Sequence, residues 1–178
     1  MPTFITRQDI SPATASSWQV IDVSSYLGAD AGNVSGVMLK ITCPEASNEY
    51  TVGCRMSGST DNYSARIQED LTWNQYCIGV ADDKIEVFVE NTSVLVNLEA
   101  YFLSSEAVFF KEANSISLTQ DSAYHVVDLS AYTGTDTGSV AFFQLYNDDT
   151  SAAEHALQIS GSTTDIVAEP DKIGRAHV

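Results

Sequence analysis

Val94-Leu95-Val96-Asn97-Leu98-Glu99-Ala100-Tyr101-Phe102 decides the fold class. Val94, Val96, Leu98, Ala100 and Phe102 alternate with Leu95, Asn97, Glu99 and Tyr101. That period of two belongs to a strand with one buried face. Working outward, Ile85, Val87 and Val89 alternate with Glu86, Phe88 and Glu90, and Val52, Cys54 and Met56 with Thr51, Gly53 and Arg55. Val37, Leu39, Ile41 and Cys43 alternate with Met38, Lys40 and Thr42. Turn-forming clusters at 44–48, 57–62, 81–84 and 91–93 separate these runs, and no stretch sustains a helical period. The pattern predicts an all-β chain, an antiparallel β-sandwich of jelly-roll or immunoglobulin-like type. Its expected core is Val37, Leu39, Ile41, Val52, Cys54, Met56, Val87, Val96 and Leu98. A turn centred near Ala46 would make a hairpin that sets Cys43 opposite about Tyr50 and Cys54 opposite about Leu39.

The sequence also repeats. At a shift of 106 residues, 12 of the 31 positions from Phe4 to Val34 are identical to those from Phe110 to Val140. Trp18-Gln19-Val20-Ile21-Asp22-Val23-Ser24-Ser25-Tyr26 meets Tyr124-His125-Val126-Val127-Asp128-Leu129-Ser130-Ala131-Tyr132, and Gly28-Ala29-Asp30-Ala31-Gly32 meets Gly134-Thr135-Asp136-Thr137-Gly138. After a three-residue deletion, Ser57-Gly58-Ser59-Thr60 meets Ser160-Gly161-Ser162-Thr163. The expected organisation is two tandem copies: a complete sandwich over 1–106 and the first half of a second over 107–171. The remaining segment, 172–178, reads as an artefact. Ile173-Gly174-Arg175-Ala176-His177-Val178 is one reading frame of a widely used sequencing adapter, ATC GGA AGA GCA CAC GTC. This expectation implies a metagenomic source and a longer parent chain.

Of the 178 residues, 24 are acidic and 8 basic, a net charge of −16. Such a surface repels phosphate backbones and anionic membranes, so neither nucleic acid nor membrane insertion is expected. No apolar run reaches the ~18 residues of a membrane helix. The first nine residues lack the basic and apolar regions of a secretory signal, which points to cytoplasmic synthesis. Cys43, Cys54 and Cys77 form an odd set without metal-ligand spacing. Cys54 aligns with Leu157, as suits a small apolar site rather than a disulfide.

Candidate binding residues cluster in two places. Arg55 adjoins the Ser57–Asn62 loop, which contains Asp61 and is followed by Tyr63 and Arg66; that loop reads either as a recognition loop or as a hairpin turn. Trp73, with Asn74 and Tyr76, reads as an aromatic patch for a sugar ring or as core packing. Asp30, with Asp82 or Asp83, is a weak calcium candidate that lacks the D-x-D-x-D-G spacing. Asp22 and Asp128 read as turn organisers. His125 replaces Gln19 and His155 replaces Val52, so neither histidine recurs, and no nucleophile-elbow, phosphate-loop or metalloprotease motif is present. The expectation is therefore no catalytic residue, no metal and no cofactor. The variable loops 44–48 and 148–153, with the 73–76 region, are the expected sites of partner contact.

The series Trp18-x-x-x-Asp22-Val23-Ser24-Ser25-Tyr26, Val52-Gly53-Cys54-Arg55-Met56-Ser57-Gly58-Ser59-Thr60-Asp61, Ile78-Gly79-Val80, Ile85–Glu90 and Val94–Phe102 resembles a β-sandwich repeat of tailed-phage virion proteins, many known from metagenomes. The resemblance spans nearly all of the first copy and half of the second. It implies a non-enzymatic structural or binding repeat of a tail fibre, tail-associated or capsid-decorating protein, and carries no catalytic residues to transfer. Expected partners are other virion proteins, copies of the chain itself and a host-surface glycan. The expected location is a virion assembled in the host cytoplasm. The competing reading is a carbohydrate-binding or adhesin repeat of a bacterial surface protein.

Overall fold

The computed structural model describes residues 1–62, 64–67, 73–112, 114, 125–133, 142–146, 155–157, 166–168 and 173–177. The chain divides into two compact units, Met1–Asn114 and Ser115–Val178. The first holds eight strands: β1 (Thr3–Asp9), β2 (Trp18–Asp22), β3 (Val34–Thr42), β4 (Tyr50–Met56), β5 (Ala65–Ile67), β6 (Trp73–Gly79), β7 (Lys84–Val89) and β8 (Leu95–Leu103). A one-turn helix, α1 (Ser24–Leu27), follows β2. The strands form two four-stranded antiparallel sheets, ordered β1-β8-β3-β6 and β2-β7-β4-β5. Pairing is nested: β4 with β5, β3 with β6, β2 with β7, β1 with β8. That is the jelly-roll order, one of the two expected sandwich types.

The nesting corrects the expected hairpin at Ala46. β3 and β4 lie in different sheets, with Leu39 opposite Tyr76 and Leu98, and Cys54 opposite Val87. The β3 ladder ends at Thr42, and Pro44, two residues on, has no N–H to extend it, so the chain leaves this sheet and crosses to the other.

Val37, Leu39, Ile41, Val52, Val87, Val96 and Leu98 are fully buried, as expected. Burying each such side chain contributes about 1.5–3 kcal/mol. Cys54 and Met56 are only half-buried. Cys54 packs at the margin of the core, and the Met56 methyl stands where a β-carbon on Gly79 would be. All three cysteines are free thiols.

The alternation in β8 breaks at Glu99. Leu98 faces Leu39, but the next paired residue, Ala100, faces Met38, so Glu99 is an extra residue. Such a bulge moves every later side chain to the opposite face. Tyr101, expected outward, therefore stands opposite Val37 and joins the core. Phe102, expected inward, stands beside Gly36 on the outer face. There the Phe109 ring covers it at a centroid distance of 5.5 Å. Phe109 occupies the space a Gly36 side chain would need. The segment after β8 thus packs back on the sandwich, and the first unit runs to Asn114 rather than to the expected 106.

In the second unit the described elements are α2 (Ser130–Thr133), β9 (Phe142–Tyr146), β10 (His155–Leu157), β11 (Ile166–Ala168) and β12 (Ile173–His177). β9 pairs with β12 and β10 with β11, both antiparallel. α2 begins 106 residues after α1, the same shift as the sequence repeat. Ser160–Thr163 and the 148–153 loop lie outside the described residues, as does Tyr63.

Candidate functional site

Arg55 sits on the outer face of its sheet, directly opposite Glu86. Its Nε and Nη2 contact Glu86 Oε2 at 2.7 and 2.6 Å. Nη1 donates to Asp61 O at 2.8 Å and to Asn62 Oδ1 at 3.0 Å. The guanidinium lies 4.1 Å from the centroid of the Trp18 ring, which leans on Phe88. The other Glu86 oxygen accepts from Gly58 N at 2.8 Å. Both charged side chains are largely covered, 16% and 12% exposed. Arg55 thus clamps the β4–β5 loop to the sheet, and its donors are engaged within the unit. The loop joins the antiparallel pair β4 and β5, a hairpin connection.

Glu112 closes the same loop from the far end of the unit. Its carboxylate accepts from Ser59 Oγ (3.0 Å), Thr60 Oγ1 (3.1 Å) and Thr60 N (3.0 Å). Burial raises the Glu112 pKa, but these bonds and the Lys111 charge outweigh it and hold the carboxyl below its usual range.

A single small motif recurs through the chain. Asp9 Oδ1 accepts from Ser11 N and Oγ at 3.0 and 2.6 Å, and Asp22 Oδ1 from Ser24 N and Oγ at 2.9 and 2.6 Å. Asn91 Oδ1 accepts from Ser93 N, and Asp128 Oδ1 from Ser130 N, each at 2.9 Å. In each case an Asx side chain bonds the backbone two residues on and bends the chain. The serine bonds hold Asp9, Asp22 and Asp128 below the usual carboxylate range. The Asp-x-Ser spacing was visible in the sequence at 9–11, 22–24 and 128–130.

Around the Gly28–Gly32 loop, acids make longer-range structural bonds. Asp30 Oδ2 accepts from Tyr101 OH at 2.5 Å. Asp83 accepts from Gly32 N through both oxygens, at 2.9 Å each. Asp82 and Asp83 themselves form a two-residue turn with φ of +50° and +55°, closed by Lys84 N donating to Ala81 O at 2.9 Å. Beside Asp30 lies an open cleft of about 540 Å³ lined by Asn33, Leu103, Ser104 and Ser105. Among the described residues, no group of three or more His, Cys, Asp or Glu side chains is placed to hold a metal ion.

The expected aromatic patch separates. Trp73 and Tyr76 are three positions apart on β6, an odd spacing that sends them to opposite faces. Tyr76 is 1% exposed and belongs to the core, which removes it as a binding residue. Trp73 is 55% exposed on the outer face, with Lys40 Nζ 4.6 Å from its ring centroid. Its neighbours there are the half-buried Thr42, Lys40, Gln75 and Asn97 and the exposed Leu95. Of the expected site residues, Arg55 and Asp61 therefore come together at the clamp, and Trp73 stands on the other sheet. Sequence reasoning missed Trp18, Glu86 and Glu112 as the partners that hold the loop.

The chain matches no protein-family model, and no curated protein shows significant similarity to it. Among the described residues, no helix is long and apolar enough to cross a membrane.

Proposed function

We propose that this chain is a non-catalytic structural and binding repeat of a tailed-phage virion, of the tail-fibre, tail-associated or capsid-decorating kind. One observation carries the reading. The polar side chains repeated between the two segments are engaged in structural hydrogen bonds where they are described: Asp22 with Ser24, Asp128 with Ser130, Asp30 with Tyr101, and Ser59 and Thr60 with Glu112. The groups that differ are those able to do chemistry, namely Arg55 against Gln158, Val52 against His155 and Gln19 against His125. A repeated active site would keep its chemical groups and let its turns drift; a repeated scaffold does the reverse. The virion assignment rests on the resemblance of the Trp18–Tyr26 and Val52–Asp61 series. The jelly roll, a fold shared by viral capsid and lectin domains, adds an analogy of fold alone.

The gene neighbourhood on the source contig tests it. Portal, terminase or tape-measure genes beside this one are expected. An export signal upstream in the same frame, with none of those neighbours, overturns the virion reading in favour of the bacterial surface repeat. Purified protein is expected to leave glycans and esters intact; turnover lost on Asp22→Asn overturns the non-catalytic reading.

A further inference from the structure

We propose that the outer face of the β1-β8-β3-β6 sheet around Trp73 is a glycan-binding platform. A sugar ring would stack on the indole, displacing the Lys40 ammonium that lies over it, and its hydroxyls would meet that ammonium and Asn97. The proposal rests on reading the chain as a binding repeat and names the ligand class and the residues.

The register builds the platform. Leu95, Thr42 and Trp73 form one row across β8, β3 and β6, and Asn97, Lys40 and Gln75 form the next. The outer two of these strands are about 10 Å apart, the span of a short oligosaccharide laid across them. Within that span one exposed aromatic ring adjoins the Asn97 amide, the Thr42 hydroxyl and the Lys40 ammonium, which lies over the ring, while the Gln75 amide beside them donates to Met38 Sδ. A pyranose presents the matching surfaces, an apolar C–H face and a polar rim of hydroxyls that both donate and accept.

Other ligand classes fit less well. A protein partner needs a contiguous apolar centre. Here the exposed apolar side chains are Trp73 and Leu95, at 55% and 41%, with Thr42 between them and a wholly polar row beside them. A nucleic acid would stack on Trp73, but the net charge of −16 opposes its phosphates. Glycans carry little charge and are not repelled. Of the expected contact sites, this face takes up the 73–76 region rather than the variable loops, and it lies on strands, where rigid backbone positions the groups.

The test presents maltohexaose, cellohexaose, chitohexaose, xylohexaose and lipopolysaccharide O-chains to the full chain, then titrates any binder by calorimetry. At least one is expected to bind. Trp73→Ala should weaken that binding by about three- to tenfold or more, the worth of a stacking ring. Asn97→Ala should weaken it too, and Val20→Ser, on the outer face of the other sheet, should not. Thermal midpoints of the variants establish that they fold. If a glycan binds wild type, Trp73→Ala and Asn97→Ala equally, the platform is refuted while the binding repeat stands. If none of these probes binds at millimolar concentration, the platform is refuted, and the gene neighbourhood decides the virion reading separately.

Discussion

Tyr101 reaches Asp30 because Glu99 adds one residue to β8: the bulge turns the phenol inward, where its hydroxyl donates to the Asp30 carboxylate at 2.5 Å. The hydrogen bond, with burial and the negative charge of Asp30, raises the Tyr101 pKa. A group whose pKa is raised on folding contributes stability below its unfolded pKa, and that contribution is lost as pH rises through the folded value. Thermal midpoints measured from pH 8 to above 10 should therefore fall more steeply for wild type than for Tyr101→Phe. At pH 8 the variant should melt a few degrees lower. Parallel curves would show that the bond contributes nothing.

Arg55→Ala should be the most damaging change on the outer face of its sheet. It leaves Glu86 largely covered without its cation and releases Asp61 and Asn62. Removing one partner of a covered pair costs about 3 kcal/mol or more. Arg55→Lys should recover little of this, because one ammonium cannot span Glu86, the loop carbonyl and the Trp18 ring together. Urea unfolding of both variants measures the cost; a loss under about 1 kcal/mol for Arg55→Ala contradicts the clamp.

Gly36→Ala should destabilise by about 1–3 kcal/mol through overpacking against the Phe109 ring. In a Phe109→Ala background the same substitution should be nearly neutral. The double-mutant cycle isolates the contact from any general effect of alanine in β3. An unchanged cost in that background would place the clash elsewhere.

Asp9, Asp22 and Glu112 are all held below the usual carboxylate range. Carboxyls of this kind add stability above their unfolded pKa, about 4, and lose it as pH falls through the folded values. Melting between pH 7 and pH 3 should show a falling midpoint in wild type. Asp22→Ala and Glu112→Ala should start lower and fall less. Steeper acid loss in either variant would reverse the assigned sign.

Strand positions and fold class were legible wherever period two ran unbroken, as from Val37 to Cys43 and from Val94 to Leu98. Two errors came from parity. The three-residue step from Trp73 to Tyr76 already implied opposite faces, and a stricter reading would have separated them. The flip at Glu99 was not legible, because a bulge adds a residue without changing composition. The β3–β4 hairpin failed for another reason. Nested pairing joins residues as distant as Thr3 and Tyr101, and a local turn signal at Ala46 contains nothing about them. The Arg55 clamp was hidden likewise, since Glu86 lies 31 residues away and its charge pattern resembles any solvated strand face.

The pairing of β1 with β8 sets the geometry of attachment. With Thr3 opposite Tyr101, the start of the first strand and the end of the last stand at neighbouring positions, and residues 104–114 complete the unit beyond them. The closeness of those strand ends suits the sandwich to circular permutation, with new termini opened in the Ala81–Lys84 turn and residues 104–114, whose Phe109 and Glu112 pack on the unit, retained in the bridge back to Thr3.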